Sequence, residues 1–350
     1  MSLIVYPPAA DWTWMIQRPQ QLMRQLARQG HRVYFCNLTQ TRKQAEEIEP
    51  GLTIVHDHDN WLQTQWPKLR EAYDGASVVW INAPHLTQKA VSYRADNLVY
   101  DCADDFAQWL PYEQMAINAA STILCSSQRL QSRLKQRYPG KTIHLVPNGY
   151  DEGMLLHQES GIWPKPADLP ASGRPLIGFV GAWAPWLDEP LLYAAAKAIR
   201  DADWVFIGSE YERRFTLAGA GFPHVHFLGH KPHHQLPAYI SRLDVCLIPF
   251  RINDVTLAAD PVKAYEYLAA GKPVIATPMP ECQRMVPYID IAHNQQQFKD
   301  LIKARLSDPG CCEARIRFAL ANTWRHRAKK IMEVIPYLAA PRSSNNSLEE

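Results

Sequence analysis

The chain of 350 residues has neither a long apolar run nor a strong excess of charge. No run approaches the roughly 18 apolar residues needed to span a bilayer, and Met1 leads directly into strand-like residues 3–6, without a secretory leader. The 37 basic and 35 acidic residues leave a net charge of +2, which gives no reason to expect nucleic acid as a partner. We therefore expect a cytoplasmic protein, peripheral to the inner face of a membrane at most.

The spacings typical of metal and cofactor sites are also missing. The seven cysteines are odd in number and include no C-x-x-C pair, which favours reduced thiols over disulfides or zinc. His230, His233 and His234 share a loop without a cysteine, so we interpret them as polar loop residues. The acidic triplet 57–59 falls early in a loop, and GFVG at 178–181 lacks the G-x-G-x-x-G spacing. We predict no metal site and no required cofactor.

Short apolar runs alternate with helical patterns along the chain, which predicts α/β architecture with parallel, doubly wound sheets. A 47% hydrophobic content is enough for two cores at this length. The proline-rich stretch 156–174 shows no periodicity and is predicted to be the interdomain linker, between domains at 1–155 and 175–340. We expect a substrate cleft between the two domains. Residues 341–350 look like a disordered tail.

One stretch, Asp260 to Thr277, combines a helix start, a helix stop and a buried strand. Asp260 is predicted to cap the helix and Pro261 to occupy its first position. Gly271 is predicted to end the helix in the left-handed conformation. Lys263 and Glu266 are three residues apart and share a face, so they form either a surface ion pair or a cation and an anion that bind a ligand carrying phosphate and hydroxyl groups.

Five segments occur in an order that resembles the GT-B glycosyltransferases, and among them the large retaining family four that uses nucleotide sugars. The segments are GHRVYF at 30–35, PNGYD at 147–151, GFVGA at 178–182, the run from FLGH to LIPF at 227–250, and DPVKAYEYLAAGKPVIAT at 260–277. The stretch from Trp14 to Gln20 also resembles a subset linked to cell-surface polysaccharide and teichuronic acid assembly. The resemblance implies transfer of a sugar from a UDP- or GDP-linked donor to a glycan or lipid-linked acceptor.

The resemblance also implies which residues bind the donor. Glu266 matches the glutamate that accepts hydrogen bonds from the ribose, and the backbone at Lys231 and Pro232 matches the turn that binds the base. Gly181 stands where a bare backbone lets the phosphates approach. Lys263 is the first candidate cation for the diphosphate. In this family the terminal helix, here from about Ala321 to Tyr337, is expected to pack on the first domain.

The chain departs from the family pattern at two places. The position of the first of two paired glutamates is Ala258, so Asp254 or Asp260 is an alternative sugar-contacting acid. The loop after Gly181 reads AWAPWLDEP and holds no cation, so Lys263, Arg251 or Arg18 must neutralise the leaving diphosphate. These departures leave open a catalytically silent nucleotide-sugar-binding subunit, an inverting transferase or a sugar-nucleotide epimerase.

Three further groups have two interpretations each. Asp101, Asp104 or Asp105 orient an acceptor hydroxyl or act as base, or they cap a helix opening at Phe106. Trp183 contacts a donor sugar or packs in the core. The basic helix 128–141 docks on an anionic membrane, or it presents a solvated face.

Overall fold

The structure is a computed structural model, and it describes residues 1–158, 162–211 and 221–339. These residues form two compact units. The first contains the described residues of Met1–Cys125, Arg133–Val146 and Arg325–Glu350, and the second contains those of Ser126–Ser132 and Pro147–Trp324. The helix α6 (Gln128–Arg137) crosses from one unit to the other.

The first unit is built on an eight-stranded sheet. In chain order its strands are β1 (Leu3–Tyr6), β2 (Arg32–Cys36), β3 (Glu46–Glu49), β4 (Leu52–Val55), β5 (Ser77–Ile81), β6 (Asn97–Cys102), β7 (Thr122–Cys125) and β8 (Ile143–Leu145). Their spatial order is β3-β4-β2-β1-β5-β6-β7-β8, and only the β3–β4 pairing is antiparallel. β1 and β5 are buried along their whole length, as strands covered on both faces must be.

Helices fill the connections of this unit. They are α1 (Arg18–Arg28), α2 (His58–Thr64), α3 (Trp66–Ala72), α4 (Thr87–Val91), α5 (Leu110–Ala119) and the terminal α14 (Trp324–Val334). In α1, Leu22 and Leu26 are fully buried at helical spacing, and Gly30 follows the helix with a φ of +92°. After α14, the Tyr337 hydroxyl lies 2.9 Å from the Thr122 Oγ1 on β7, so the chain end packs on the first sheet.

The second unit has a fully parallel six-stranded sheet. Its strands are β9 (Leu176–Val180), β10 (Asp203–Ile207), β11 (Val225–Gly229), β12 (Val245–Ile248), β13 (Val274–Ala276) and β14 (Asp290–Ile291), in the spatial order β11-β10-β9-β12-β13-β14. The helices are α7 (Glu189–Ala198), α8 (Leu236–Ile240), α9 (Asp254–Ala258), α10 (Val262–Ala269), α11 (Pro280–Gln283), α12 (Gln295–Ser307) and α13 (Cys312–Ala321).

The predicted fold class, two doubly wound α/β domains, is confirmed. The sequence analysis missed β3, because its residues, EEIE, are mostly acidic and pair only at the sheet edge. The boundaries at 155 and 175 and the roles given to each domain stay predictions, and the proposed tail 341–350 lies outside the described residues. In the described part of the chain, no helix is long and apolar enough to cross a membrane.

Candidate active site

The chain reverses direction across the second sheet between β9 and β12. It first runs outward through β10 and β11, then returns to the other side of β9 for β12, β13 and β14. Ligands of open α/β sheets bind at such a switch point, beyond the carboxyl ends of the two diverging strands. Gly181 follows β9 there, and Phe250 and Arg251 follow β12.

The start of α10 differs from the sequence prediction. The helix begins at Val262, with Pro261 at the capping position and no capping hydrogen bond from a side chain among the described residues. The Asp260 carboxylate instead accepts a hydrogen bond from the Asn148 backbone N–H at 2.6 Å, while the Asn148 amide donates to the Asp260 carbonyl at 2.6 Å. Asp260 is 5% exposed, so it anchors residue 148 and is not an acid for the donor.

The role of Asp254, the other alternative acid, stays a prediction, whereas the predicted end of the helix is confirmed. Asp254 lies in α9 with its side chain 93% exposed, 3.9 Å from Arg129. Gly271 ends α10 as predicted, with a φ of +68°, and the Lys272 N–H donates to the Tyr267 carbonyl at 3.0 Å.

α10 carries Lys263 to the switch point. Its Nζ lies 5.5 Å from the centre of the Phe179 ring on β9 and 5.0 Å from that of Phe250 after β12. An ammonium over aromatic faces is attracted by the negative charge of the rings. Burial lowers the pKa of Lys263, and the Glu266 carboxylate opposes that shift. The ammonium is therefore a poorly solvated cation at the edge where ligands of such sheets bind.

Glu266, one turn further along α10, is partly exposed. Its pKa is raised to about 7, mainly by burial, with Lys263 opposing the rise and Asp151 adding to it. A carboxyl whose proton is held near neutral pH is common at functional sites. Lys263 and Glu266 are thus not an ordinary pair of solvated surface charges, since burial shifts the pKa of each towards its neutral form.

Glycine is required beside Lys263. Gly181 has a φ of +153°, and a Cβ on it would lie 3.0 Å from the Lys263 Cε. Gly208, at the end of β10, has a φ of +148°, and its Cβ would come within 2.0 Å of the Gly181 carbonyl oxygen. Only glycine at both positions lets the backbone after β9 pack this closely and leaves a bare surface next to the ammonium.

The loop after Gly181 contributes packing. Trp183 is 1% exposed, its ring meets Phe206 edge-on at 5.0 Å, and its Nε1 donates to the Glu189 carboxylate at 3.1 Å. The predicted donor contact of the Trp183 side chain is therefore wrong, because a ring closed inside the core offers no face to a sugar.

The remaining predicted donor residues also belong to the second unit. The Lys231 ammonium is held 2.7 Å from the Asp168 carboxylate, which raises its pKa, while Pro232 is exposed. Arg251 is exposed, and its backbone N–H donates to the Trp186 carbonyl at 2.8 Å. The backbone at 231–232 stays the predicted base-binding turn, and Arg251 stays a candidate second cation.

In the first unit, Arg18 and Asp101 form a buried ion pair. The guanidinium Nε donates to both carboxylate oxygens at 3.0 and 2.8 Å, and Nη2 donates to one of them at 2.8 Å. Arg18 is 3% and Asp101 0% exposed. This corrects the predicted catalytic roles of both residues, because a buried and paired charge can neither receive a proton from a substrate nor move to a diphosphate.

Asp104 is the acid in this region that a ligand can reach. It follows β6 at the carboxyl edge of the first sheet and is partly exposed. Burial raises its pKa to about 6, with Asp101 and Asp105 adding to the rise and Arg18 opposing it. Across the described residues, the Asp104 carboxyl is engaged in neither a hydrogen bond nor an ion pair. Asp105 lies 3.2 Å from the Arg133 guanidinium, so it is a structural partner.

The basic helix α6 uses its apolar side chains internally. Leu130 and Leu134 are fully buried, and Arg133 donates to both carboxylate oxygens of the buried Glu113 at 2.8 and 2.7 Å. The predicted amphipathic docking through this apolar face is therefore wrong. Lys135 and Arg137 remain exposed.

No group of three or more metal-ligating side chains comes together within residues 1–158, 162–211 and 221–339. In the triplet 57–59, His58 is buried, with Nδ1 2.8 Å from the Asp59 carboxylate and Nε2 2.5 Å from the Tyr93 hydroxyl. Metal independence itself stays a prediction.

Sequence analysis missed four residues of the second unit that shape this site. Phe179 and Phe250 flank Lys263, Asn148 anchors Asp260, and Asp151 raises the pKa of Glu266. The PNGYD segment at 147–151 was noticed as a motif, but its contacts join positions more than 100 residues apart, which spacing does not reveal.

Two doubly wound sheets, with a lysine and a glutamate near bare glycine backbone at the switch point of the second sheet, are features of the GT-B class. Residues 174–308, which lie in the second unit, match the family model described as Glycosyl transferases group 1. The predicted resemblance is confirmed to that extent.

Similar proteins agree with this class. The glycosyltransferase TuaH of Bacillus subtilis (strain 168), named for teichuronic acid biosynthesis, is 25% identical over 236 residues, which are 60% of this chain and 58% of that protein. A sucrose-phosphate synthase from Thermosynechococcus elongatus has a TM-score of 0.72 at 16% identity, with 95% of this chain and 97% of that chain covered. HepE from Anabaena, solved with UDP and glucose, has a TM-score of 0.69 at 15% identity, with 95% and 98% covered. At these identities the solved structures establish the fold.

Proposed function

We propose that this protein transfers a sugar from a UDP- or GDP-linked donor to a glycan or lipid-linked acceptor of the cell envelope or an exopolysaccharide, with retention and without a metal. The observation that carries the proposal is the Lys263–Glu266 pair at the switch point of a group 1 glycosyltransferase domain. HepE was solved with UDP and glucose, and TuaH is named for teichuronic acid, which support the donor and acceptor classes.

The chemistry assigns a task to each donor residue. Negative charge builds up on the leaving diphosphate as the glycosidic bond breaks, and a cation fixed in poorly solvated surroundings stabilises that charge strongly. Lys263 supplies the cation, and the bare backbone of Gly181 admits the phosphates beside it. Glu266 accepts hydrogen bonds from the ribose hydroxyls, and the backbone at 231–232 contacts the base.

Asp104 is the proposed acceptor-side acid. Its partly exposed carboxyl, with a pKa raised to about 6, can accept a hydrogen bond from an acceptor hydroxyl and hold it in place. Arg18 and Asp101, which form a buried ion pair, act on the pKa of Asp104 in opposite directions.

Isothermal titration with UDP and with GDP tests the donor site. We expect one nucleotide to bind and Glu266→Ala to weaken that binding by about tenfold or more, because it removes charge-assisted hydrogen bonds. Glu313→Ala is the matched control, since that side chain is 83% exposed in the same unit. Equal affinity in both variants would refute the ribose assignment.

The loop 182–190, which holds neither Lys nor Arg, favours one alternative from another class: a silent subunit that binds a nucleotide sugar without transferring it. Donor hydrolysis and transfer assays on the same preparation separate the two. Nucleotide binding without turnover under any acceptor supports the silent subunit, whereas transfer to an acceptor supports the transferase. The anomeric configuration of the product then distinguishes retention from inversion. Conversion of the donor into an epimeric nucleotide sugar without an acceptor would identify an epimerase.

Association with a membrane surface is a separate part of the proposal. Since the apolar face of α6 is buried, attraction would come from exposed cations such as Lys135, Arg137 and Lys141. We expect flotation with anionic but not with neutral liposomes, and its loss at high salt. Flotation that does not depend on lipid charge, or no flotation at all, would contradict membrane association through these cations.

A further inference from the structure

The first unit contains a polar cavity outside the site described above. Its volume is about 320 Å³, and it lies between the segment that precedes β3 and the start of α2. Arg42, Gln44, Asp57 and Asn60 are among its lining residues, and Trp61 forms part of its wall. Because Asp57 follows β4 closely, the cavity opens at the carboxyl edge of the first sheet, where parallel α/β sheets bind ligands.

Three polar side chains of this cavity are open to a ligand from solution. Arg42, Gln44 and Asn60 are exposed, and in the part of the chain that the structure describes their side chains form no hydrogen bond or ion pair, whereas Lys43 is paired with Glu46. Trp61 is 2% exposed, and its Nε1 is a buried donor without a partner among the same residues. A buried donor is normally satisfied, and Trp61 lines the cavity, so a polar ligand there is a candidate partner for its Nε1.

These side chains match one kind of ligand. Amide and carboxylate groups of Gln44, Asn60 and Asp57 bind neighbouring hydroxyls, as a saccharide presents them. The planar guanidinium of Arg42 binds a carboxylate or phosphate through two parallel hydrogen bonds. The lining of the cavity is mainly polar, so it does not offer the apolar surface that a lipid chain needs.

The position of the cavity sets the size of the ligand. Asp104 follows β6 and the cavity lies at β4, and the spatial order β4-β2-β1-β5-β6 puts four strand spacings between them. With neighbouring strands about 4.8 Å apart, the separation along this edge is about 19 Å. A monosaccharide cannot bridge that distance, whereas an oligosaccharide can.

We propose that the cavity at Arg42, Asp57 and Asn60 is a distal acceptor subsite that binds an acidic sugar of a growing glycan chain. The proposal rests on the proposed function, since it takes the acceptor to be a glycan whose reacting end lies at Asp104. The acidic group is a carboxylate or a phosphate, and Arg42 pairs with either.

Direct titration tests the subsite without any turnover. The probes are a tetrasaccharide containing glucuronic acid, glucose 6-phosphate and a neutral tetrasaccharide, each titrated into the full-length protein. We expect an anionic saccharide to bind, and Arg42→Gln to weaken it about tenfold, because one charge-assisted pair is lost. Asn60→Ala should weaken both tetrasaccharides. Arg94→Gln is the matched control, an exposed arginine of the same unit that does not line the cavity.

The probes also distinguish the sources of the acidic group. Tight binding of the uronate tetrasaccharide alone identifies a carboxylate, and tight binding of glucose 6-phosphate identifies a phosphate. The proposal is overturned if neither binds, if the neutral tetrasaccharide binds as well as the acidic one, or if Arg42→Gln and Arg94→Gln behave alike.

Acceptor length provides a kinetic test. Arg42→Gln should raise the KM for an acidic tetrasaccharide acceptor. The KM for a disaccharide acceptor and the kcat for both acceptors should stay unchanged. An equal effect on both acceptor lengths contradicts the subsite. Loss of all transfer and of UDP or GDP binding in the wild type would refute the proposed function, whereas the titrations above decide the subsite independently.

Discussion

At the residue scale, the second unit brings together two side chains that both resist their charges. Burial lowers the pKa of Lys263 and raises that of Glu266 to about 7, and each side chain partly offsets the shift of the other. Holding such groups in place costs stability, which is acceptable where a ligand later supplies the missing partners. A diphosphate would pair with the ammonium, and ribose hydroxyls would donate to the carboxylate.

This arrangement predicts a stability that depends on pH through Glu266. The folded carboxyl has a pKa of about 7 and keeps its proton up to that pH, whereas a glutamate in water has a pKa of 4.5. The folded state therefore binds more protons in that window, and the free energy of unfolding falls as pH rises through it. Glu266→Gln has no such proton. We therefore expect its free energy of unfolding to increase relative to that of the wild type, by on the order of 1 to 3 kcal/mol, as the pH rises from about 5 to about 8.

Urea unfolding of both proteins at several pH values measures this difference. Titrating groups that do not interact with Glu266, including Asp104, are common to both proteins and cancel. If the free energies of unfolding of the two proteins change in parallel with pH, the pKa of Glu266 in the folded state is not raised.

At the scale of elements, the site depends on how closely one strand end approaches one helix. The backbone after β9 passes the Lys263 stem so closely that a single Cβ at Gly181 would touch the Cε at 3.0 Å and the Phe179 ring at 3.0 Å. Asp260 anchors the segment before α10 to Asn148, which fixes where the helix starts. Lys263 is thus positioned by its neighbours, since the helix has no side-chain cap in the described structure.

Gly181→Ala tests this close approach, with Gly173→Ala as control. Gly173 also has a positive φ, +74°, but a Cβ there meets no described heavy atom within 4 Å. We expect both variants to lose about 1 kcal/mol or more of stability through backbone strain. Only Gly181→Ala should also weaken nucleotide binding by about tenfold, because it displaces the Lys263 ammonium. Calorimetry and isothermal titration measure the two effects, and equal nucleotide affinities would contradict this account.

At the scale of the whole molecule, two cores stabilise two separate units. The chain end returns to the first unit, where Ile335 and Leu338 are fully buried and the Tyr337 hydroxyl reaches Thr122. The second core is formed without these residues, and Ile302 of α12 is fully buried within it.

Hydrogen exchange should show that each core protects its own sheet. Leu338→Ala creates a cavity in the first unit, for which we expect a loss of about 2 to 5 kcal/mol and faster exchange in β1 and β7. Ile302→Ala should have the same effect on β12 and β13 instead. Loss of protection in both sheets from either change would mean that the two units unfold as one.

The order of elements and several site positions could be predicted from the sequence because they depend on local patterns. Strands such as Ser77–Ile81 and Val225–Gly229 follow from apolar runs bounded by turn residues, and Gly271 ends its helix through its own backbone freedom. Lys263 and Glu266 share a face because a helix places positions three apart together.

Tertiary structure decided which of these side chains are available to a ligand. Burial depends on neighbours distant in the chain, and it closed Trp183 into the core, paired Arg18 with Asp101 and turned Asp260 into an anchor. The same packing left Asp104 as the reachable acid. Local pattern determines what a residue can do in this protein, and long-range packing determines whether its charge, its hydrogen bonds and its surface remain free to do it.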